Sequence, residues 1–279
     1  MNNKNWLTFS TAFLLSVLTA CTQTENNNDT TSSTENQNDG QGNLALVANG
    51  EDFIRQGFTT KDGWRIDFNY AYVTIDQITA YQTDPPFDPE GEDQLQEVES
   101  IVLLEQPKTI DLAEGDENAP SIKVMETSAP VGSYNAINWT ITSNPETNSG
   151  IVLDGVASKD GQTIEFVLNL PTELTYLCGE YVGDERKGIL QGDQPTELEV
   201  TFHFDHLFGD SETPADDDLN VEALGFDPIA EIAQQDSKVE LNLEQLQSQL
   251  SSANYDKLTK NLESLGHVGE GHCRLLASN

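Results

Sequence analysis

Polar and apolar positions alternate through much of residues 64–78, a stretch rich in β-branched and aromatic side chains, as they do along a half-buried strand. Residues 100–105, 122–126, 136–142, 151–157, 163–170 and 197–206 have the same texture. Turn-forming clusters separate these runs: DPPFDPEGED at 84–93, SNPETNSG at 143–150 and KDGQ at 159–162. Lys159-Asp160-Gly161-Gln162, set between two apolar runs, predicts a tight hairpin. About seven strands with little helix between them predict a mainly β fold, an antiparallel β-sandwich.

After Gly209 the period lengthens. Phe226-Asp227-Pro228 opens a short helix, with Pro suited to the first turn. Residues 243–250 form a second candidate, and Ser252 can cap a third from about 253 to 265. In that third helix Tyr255, Leu258, Leu262 and Leu265 make one apolar stripe, and Gly266 would end it in the left-handed conformation. The segment has too little apolar content for its own core, so it should pack on the sandwich. No internal repeat is evident.

The N-terminus has a different character. Lys4 precedes an apolar run from Trp6 to Val17 that is too short to span a bilayer. Leu18-Thr19-Ala20-Cys21 then resembles a bacterial lipobox, which implies cleavage after residue 20 and a lipid anchor on Cys21. Two or more acyl chains hold a protein on a membrane where one is marginal. Thr22 rather than Asp follows the lipidated Cys, which favours the outer membrane or cell surface in a host that has an outer membrane. Residues 22–42 contain no Leu, Ile, Val, Phe or Lys and read as a flexible polar tether. The organisation is therefore a signal peptide (1–20), a lipidated Cys with its tether (21–42) and one sandwich domain (43–279).

Charge narrows the partners. The chain has 279 residues, with 13 Lys+Arg against 48 Asp+Glu and a formal net charge of −35. Sequence-independent nucleic-acid binding needs clustered cations and is excluded on that ground. The acidic runs at 84–93, 113–118 and 214–218 lack the spacing of a calcium-binding EF-hand loop and read as solvated loops.

Candidate chemistry lies in the histidines. All four fall in two short windows, His203-Phe-Asp205-His206 and His267-Val-Gly-Glu270-Gly-His272-Cys273. Imidazole is the commonest borderline-metal ligand, and such a set suits zinc, with copper or nickel as alternatives. His203, His206, His267 and His272 are the expected ligands, with Asp205 and Glu270 as supplementary ligands or as partners of the ring nitrogens. On a regular strand His203 and His206 face opposite ways, so they can meet only if the strand ends or bends near Asp205. The competing reading gives each His a structural hydrogen bond in a turn. No zinc-protease spacing is present. Cys178 and Cys273 remain once Cys21 is lipidated. An oxidising envelope makes their disulfide the default, and thiolate ligation by Cys273 is the other reading.

Several segments together resemble a family of uncharacterised bacterial envelope lipoproteins: GEDFIRQGF at 50–58, DGW at 62–64, TYLCGEYVGDER at 175–186, HFDHLFGD at 203–210, ALGFDPIA at 223–230 and LGHVGEGHC at 265–273. The Gly132-Ser133-Tyr134 turn is similar to those of prealbumin-like β-sandwich domains of unknown function. The resemblance implies fold and location without an activity. Arg274 stands where a further His is expected in such a family.

The expected function is an envelope-anchored, non-enzymatic protein that binds a divalent transition metal for capture, delivery or homeostasis, in contact with a metal transporter or another envelope protein. The alternative is a surface module for a carbohydrate or protein partner, with Trp64 or Trp139 as an aromatic platform. A third reading is a metal-dependent hydrolase with Glu270 as general base.

Overall fold

The computed structural model describes residues 40–179, 188–192, 194–234, 236–269 and 271–276. The expected signal peptide, Cys21 and nearly all of the tether lie outside these residues. The chain begins with β1 (Gln41–Asn49), α1 (Glu51–Gln56), β2 (Phe58–Thr59), β3 (Arg65–Thr83), β4 (Glu97–Leu104) and β5 (Lys108–Asp111). It continues through β6 (Ile122–Pro130), β7 (Gly132–Ser133), β8 (Ala136–Ile141), β9 (Ile151–Lys159), β10 (Gln162–Leu170) and β11 (Leu174–Cys178). β12 (Ile189–Leu190) and β13 (Thr196–Phe202) lead to α2 (Asp205–Phe208), α3 (Asp218–Glu222) and α4 (Asp227–Ala233). β14 (Lys238–Asn242), α5 (Leu243–Gln249) and α6 (Ser252–Glu263) precede a final hairpin, β15 (Gly266–Val268) and β16 (Gly271–Leu276).

The fold is mainly β and sandwich-like, as the alternation predicts. One path of hydrogen-bonded strands runs β14-β10-β9-β3-β8-β11-β16-β15-β13-β1-β6, with β2, β4 and β5 also on β3. The sheet doubles over on itself. Trp139 of β8 and Phe202 of β13 are four strand steps apart, roughly 19 Å in a flat sheet. Their ring centroids are nonetheless 5.2 Å apart, in the buried core. Most pairings are antiparallel, but β1–β13 and β10–β14 are parallel, so the sheet is mixed rather than wholly antiparallel. β1 takes in Gln41 and Gly42, the last residues assigned to the tether, because both pair with β6.

The Lys159–Gln162 hairpin forms as expected, with Asp160 and Gly161 both at positive φ. α4 and α5 lie where the sequence placed them. α6 differs at both ends. Ser251, not Ser252, accepts the capping hydrogen bond from the Asn254 amide, and the helix ends at Glu263. Gly266 does not terminate it in the left-handed form; it begins β15. An added Cβ there would lie 2.7 Å from the Tyr176 ring and 2.8 Å from Trp139, so glycine is required by close approach. Leu258, Leu262 and Leu265 are buried in the common core, and the C-terminal helices pack on the sheet as expected.

Two acidic loops are largely exposed, as expected, and arginines fasten their main chains. The Arg274 guanidinium donates to the carbonyls of Asp88, Pro89, Gly91 and Asp93 and stacks on Phe87, 4.9 Å from the ring centroid. Arg55 donates likewise to the carbonyls of Glu114, Ala119 and Pro120. Both arginines act on the main chain.

Cys178 and Cys273 form a disulfide, which excludes thiolate ligation. They stand directly opposite each other on β11 and β16, so the bridge fastens the last hairpin to the sheet. With a sequence separation of 95, chain entropy assigns the bridge roughly 4–5 kcal/mol. Urea melts of the Cys178→Ala/Cys273→Ala variant should show a loss of about that size, with the m-value used to detect any change in the unfolded state.

Asp227 carries a second expectation. Burial alone would raise its pKa, but hydrogen bonds from Lys159 Nζ and Trp64 Nε1, with the lysine charge, prevail and hold the carboxyl below its ordinary range. A depressed folded pKa gives stability that is present above the unfolded value, about 3.9, and lost as pH falls through the folded value. Asp227→Asn should therefore flatten the acid limb of a stability–pH curve below about pH 4. An unchanged limb would remove the pair from the acid response.

Candidate metal centre

β13 ends at Phe202, so the chain turns where the sequence required it to turn. Phe202 and Phe204 are both buried, and their rings stack at 6.3 Å between centroids. This anchors the corner. His203 follows the strand end, Asp205 opens α2, and His206 lies one residue further on. The corner is tied down by Gly209, whose amide donates to the Asp205 carbonyl.

The other window arrives on β15. Thr201 of β13 pairs with His267, and the His203 amide donates to the Leu265 carbonyl at 3.1 Å. These contacts bring three imidazoles together. Ring centroids are 4.3 Å apart for His203–His267, 5.2 Å for His206–His267 and 5.4 Å for His203–His206. His203, Asp205 and His206 each offer a ligand atom, all within 4.8 Å of one another. An ion with bonds of about 2.1 Å in tetrahedral geometry holds its ligand atoms roughly 3.4 Å apart, so modest closure would suffice. His267 stands against this trio. His272 pairs with His267 through the backbone of β16; its side chain and Glu270 lie outside the described residues.

Main-chain carbonyls orient the rings. His203 Nε2 lies 3.4 Å from the Gly269 carbonyl; His206 Nδ1 and His267 Nε2 each lie 3.1 Å from the Ser264 carbonyl. A carbonyl oxygen only accepts, so in neutral rings these nitrogens carry the protons. His203 Nδ1, His206 Nε2 and His267 Nδ1 are then the nitrogens with lone pairs. This is how proteins fix the tautomer of a metal-binding histidine. His203 Nδ1 lies 3.9 Å from Asp205 Oδ1, too far for a hydrogen bond. That oxygen is buried and has no hydrogen-bond partner among the described residues. Burying such an oxygen without a partner is costly, and a cation would satisfy it.

The sequence missed Glu51. Its Oε1, at the start of α1 far upstream, lies 3.9 Å from His203 Nε2. Only the Gly-Glu-Asp step before an apolar run marks it, and that spacing specifies nothing. The aromatic platform expected at Trp64 or Trp139 is absent, because both indoles are buried and donate to Asp227 and to Cys178 Sγ. Among the described residues the exposed aromatic is instead Tyr70, stacked on Tyr72 at 5.3 Å. Arg274, at the position where a further His was expected, serves the 84–93 loop. No protein-family model, curated protein or solved structure matches the chain.

Proposed function

We propose that this protein captures a divalent transition metal, with zinc the best fit, from a lipid-anchored position in a bacterial envelope. One observation carries the reading: residues from two distant windows bring three oriented imidazoles against a buried carboxylate oxygen that has no hydrogen-bond partner among the described residues. A purely structural role for the histidines accounts for their carbonyl bonds but not for the Asp205 oxygen. His203, Asp205 and His206 are the proposed ligands, with His267 joining or orienting them; His272 and Glu270 complete the proposed set from the sequence. Neutral imidazoles and a carboxylate suit zinc, copper or nickel, and the Irving–Williams order leaves the choice to geometry and supply. Because Met1 and Met125 are the only methionines, a Met-rich Cu(I) site is not part of the reading. Cys21 would supply the anchor, residues 22–42 the spacer, and a transporter or another envelope protein the exchange partner.

Titration with zinc sulfate at about pH 7.5, where imidazole is mostly neutral, should give one tight site. His203→Ala/His267→Ala should weaken binding by about two orders of magnitude without loss of the β-sheet circular dichroism spectrum. Equal affinity in the two proteins would refute the reading.

A carbohydrate-binding reading has its own supporting observation. Tyr72, whose ring stacks on Tyr70, lines a groove of about 280 Å³ together with Thr74, Thr109, Asn144, Thr147 and Asn169, with no charged side chain in the lining. Sugars stack on such rings and hydrogen-bond to such groups. Under this reading a neutral hexose oligomer, tested as cellohexaose and as maltohexaose, binds with a Kd of about 1 mM or tighter. Tyr72→Ala abolishes that binding and leaves zinc affinity unchanged; silence with both sugars removes the reading.

A further inference from the structure

Glu51 adjoins both the histidine cluster and an acidic cleft. Its Oε1 is 3.9 Å from His203 Nε2, and its side chain is 28% exposed, against 12% for Asp205. The same residue lines a cleft of about 440 Å³ together with Asp52, Gln56, Arg65, Asp210 and Glu212. Arg65 is occupied there, its guanidinium bonded to Asp67 and to the Gln56 carbonyl. The remaining charged lining is carboxylate, so the cleft concentrates cations and repels anions.

The backbone at Glu51 is unusual. Its φ is +63°, a region that L residues with a Cβ avoid and glycine tolerates. Gly50 is its immediate neighbour, yet the left-handed position itself is filled by a glutamate. The rest of α1 holds it there: Ile54 is buried, Phe53 packs edge-on against Phe58, and Arg55 is fastened to three carbonyls. Gln77, Asn148, Asp160 and Gln234 also have positive φ, so the conformation shows that Glu51 is firmly held and no more.

We propose that Glu51 is the carboxylate behind the metal centre: it faces the Nε2 edge of His203, on the side away from the ligating Nδ1, where its charge strengthens that imidazole as a ligand and draws divalent cations from the acidic cleft toward His203, Asp205 and His206. This rests on the metal-capture reading and adds what stands behind His203. Asp205 is the enclosed carboxylate that the cation satisfies, and Glu51 is the half-buried one that supports the imidazole from its far edge. Carboxylate oxygens alone select poorly among divalent ions, so the cleft gathers cations and the imidazoles choose.

The test uses zinc sulfate alone and the whole protein. Glu51→Gln keeps the shape and removes the charge, and should weaken zinc binding about 10–100-fold while the stoichiometry stays at one. Glu51→Gly should weaken it as much and also raise the melting temperature of the metal-free protein, because glycine relieves the positive φ. Asp52→Asn/Glu212→Gln should slow zinc association at low salt, with the difference disappearing at high salt. Wild-type protein that binds zinc, beside Glu51 variants of unchanged affinity, overturns the role of Glu51 and leaves metal capture standing. Wild-type protein that does not bind zinc overturns both.

Discussion

The approach of Gly266 to the Trp139–Tyr176 ring pair is the contact on which the rest of the molecule depends. The two rings pack at 4.6 Å between centroids, and the backbone of β15 lies flat against them where no Cβ would fit. That packing carries the sheet across from β11 and β16 to β13, so the structure closes over a single core. The Tyr176 hydroxyl donates to the Leu262 carbonyl at 3.1 Å, which fixes the end of α6 to the same rings. Burial pushes the Tyr176 phenol well above its ordinary pKa, so it remains a donor across the working pH range. The disulfide fastens the neighbouring strand.

The candidate site follows from this closure. Once the end of α6 is held, the Ser264 carbonyl faces both His206 and His267 and sets which nitrogen of each ring is protonated. The end of β13 does the rest. Two buried phenylalanines hold the corner while the residues between and after them, His203 and Asp205, turn toward the other window. The site is built on the ends of packed elements, where backbone position is well determined.

Most strands were legible because their side chains alternate, and the Asp160-Gly161 turn because few residues accept positive φ in succession. The histidine clustering was legible as composition. What brings those residues together was less so. Gly266 looks like a helix terminator in sequence, and only the rings across the sheet show that it is a point of close approach. The parallel pairing of β1 with β13 joins segments so far apart that no local pattern encodes it. Glu51 is another such case: its neighbours in sequence give no hint that His203 is near, because the connection runs through that same strand pair. Trp64 and Trp139 show the opposite error, since large aromatics suggest a surface platform when their indole N–H groups already have buried partners.

Several of the cations among the described residues are spent on the protein's own backbone. Arg55 and Arg274 each gather several carbonyls, and Lys61 donates to those of Asn220 and Ala223. Because these contacts use main-chain oxygens, the identity of the acidic side chains beside them is largely immaterial to loop shape. The surface charge of the protein can therefore drift over evolutionary time, toward more or fewer carboxylates, without the architecture having to follow.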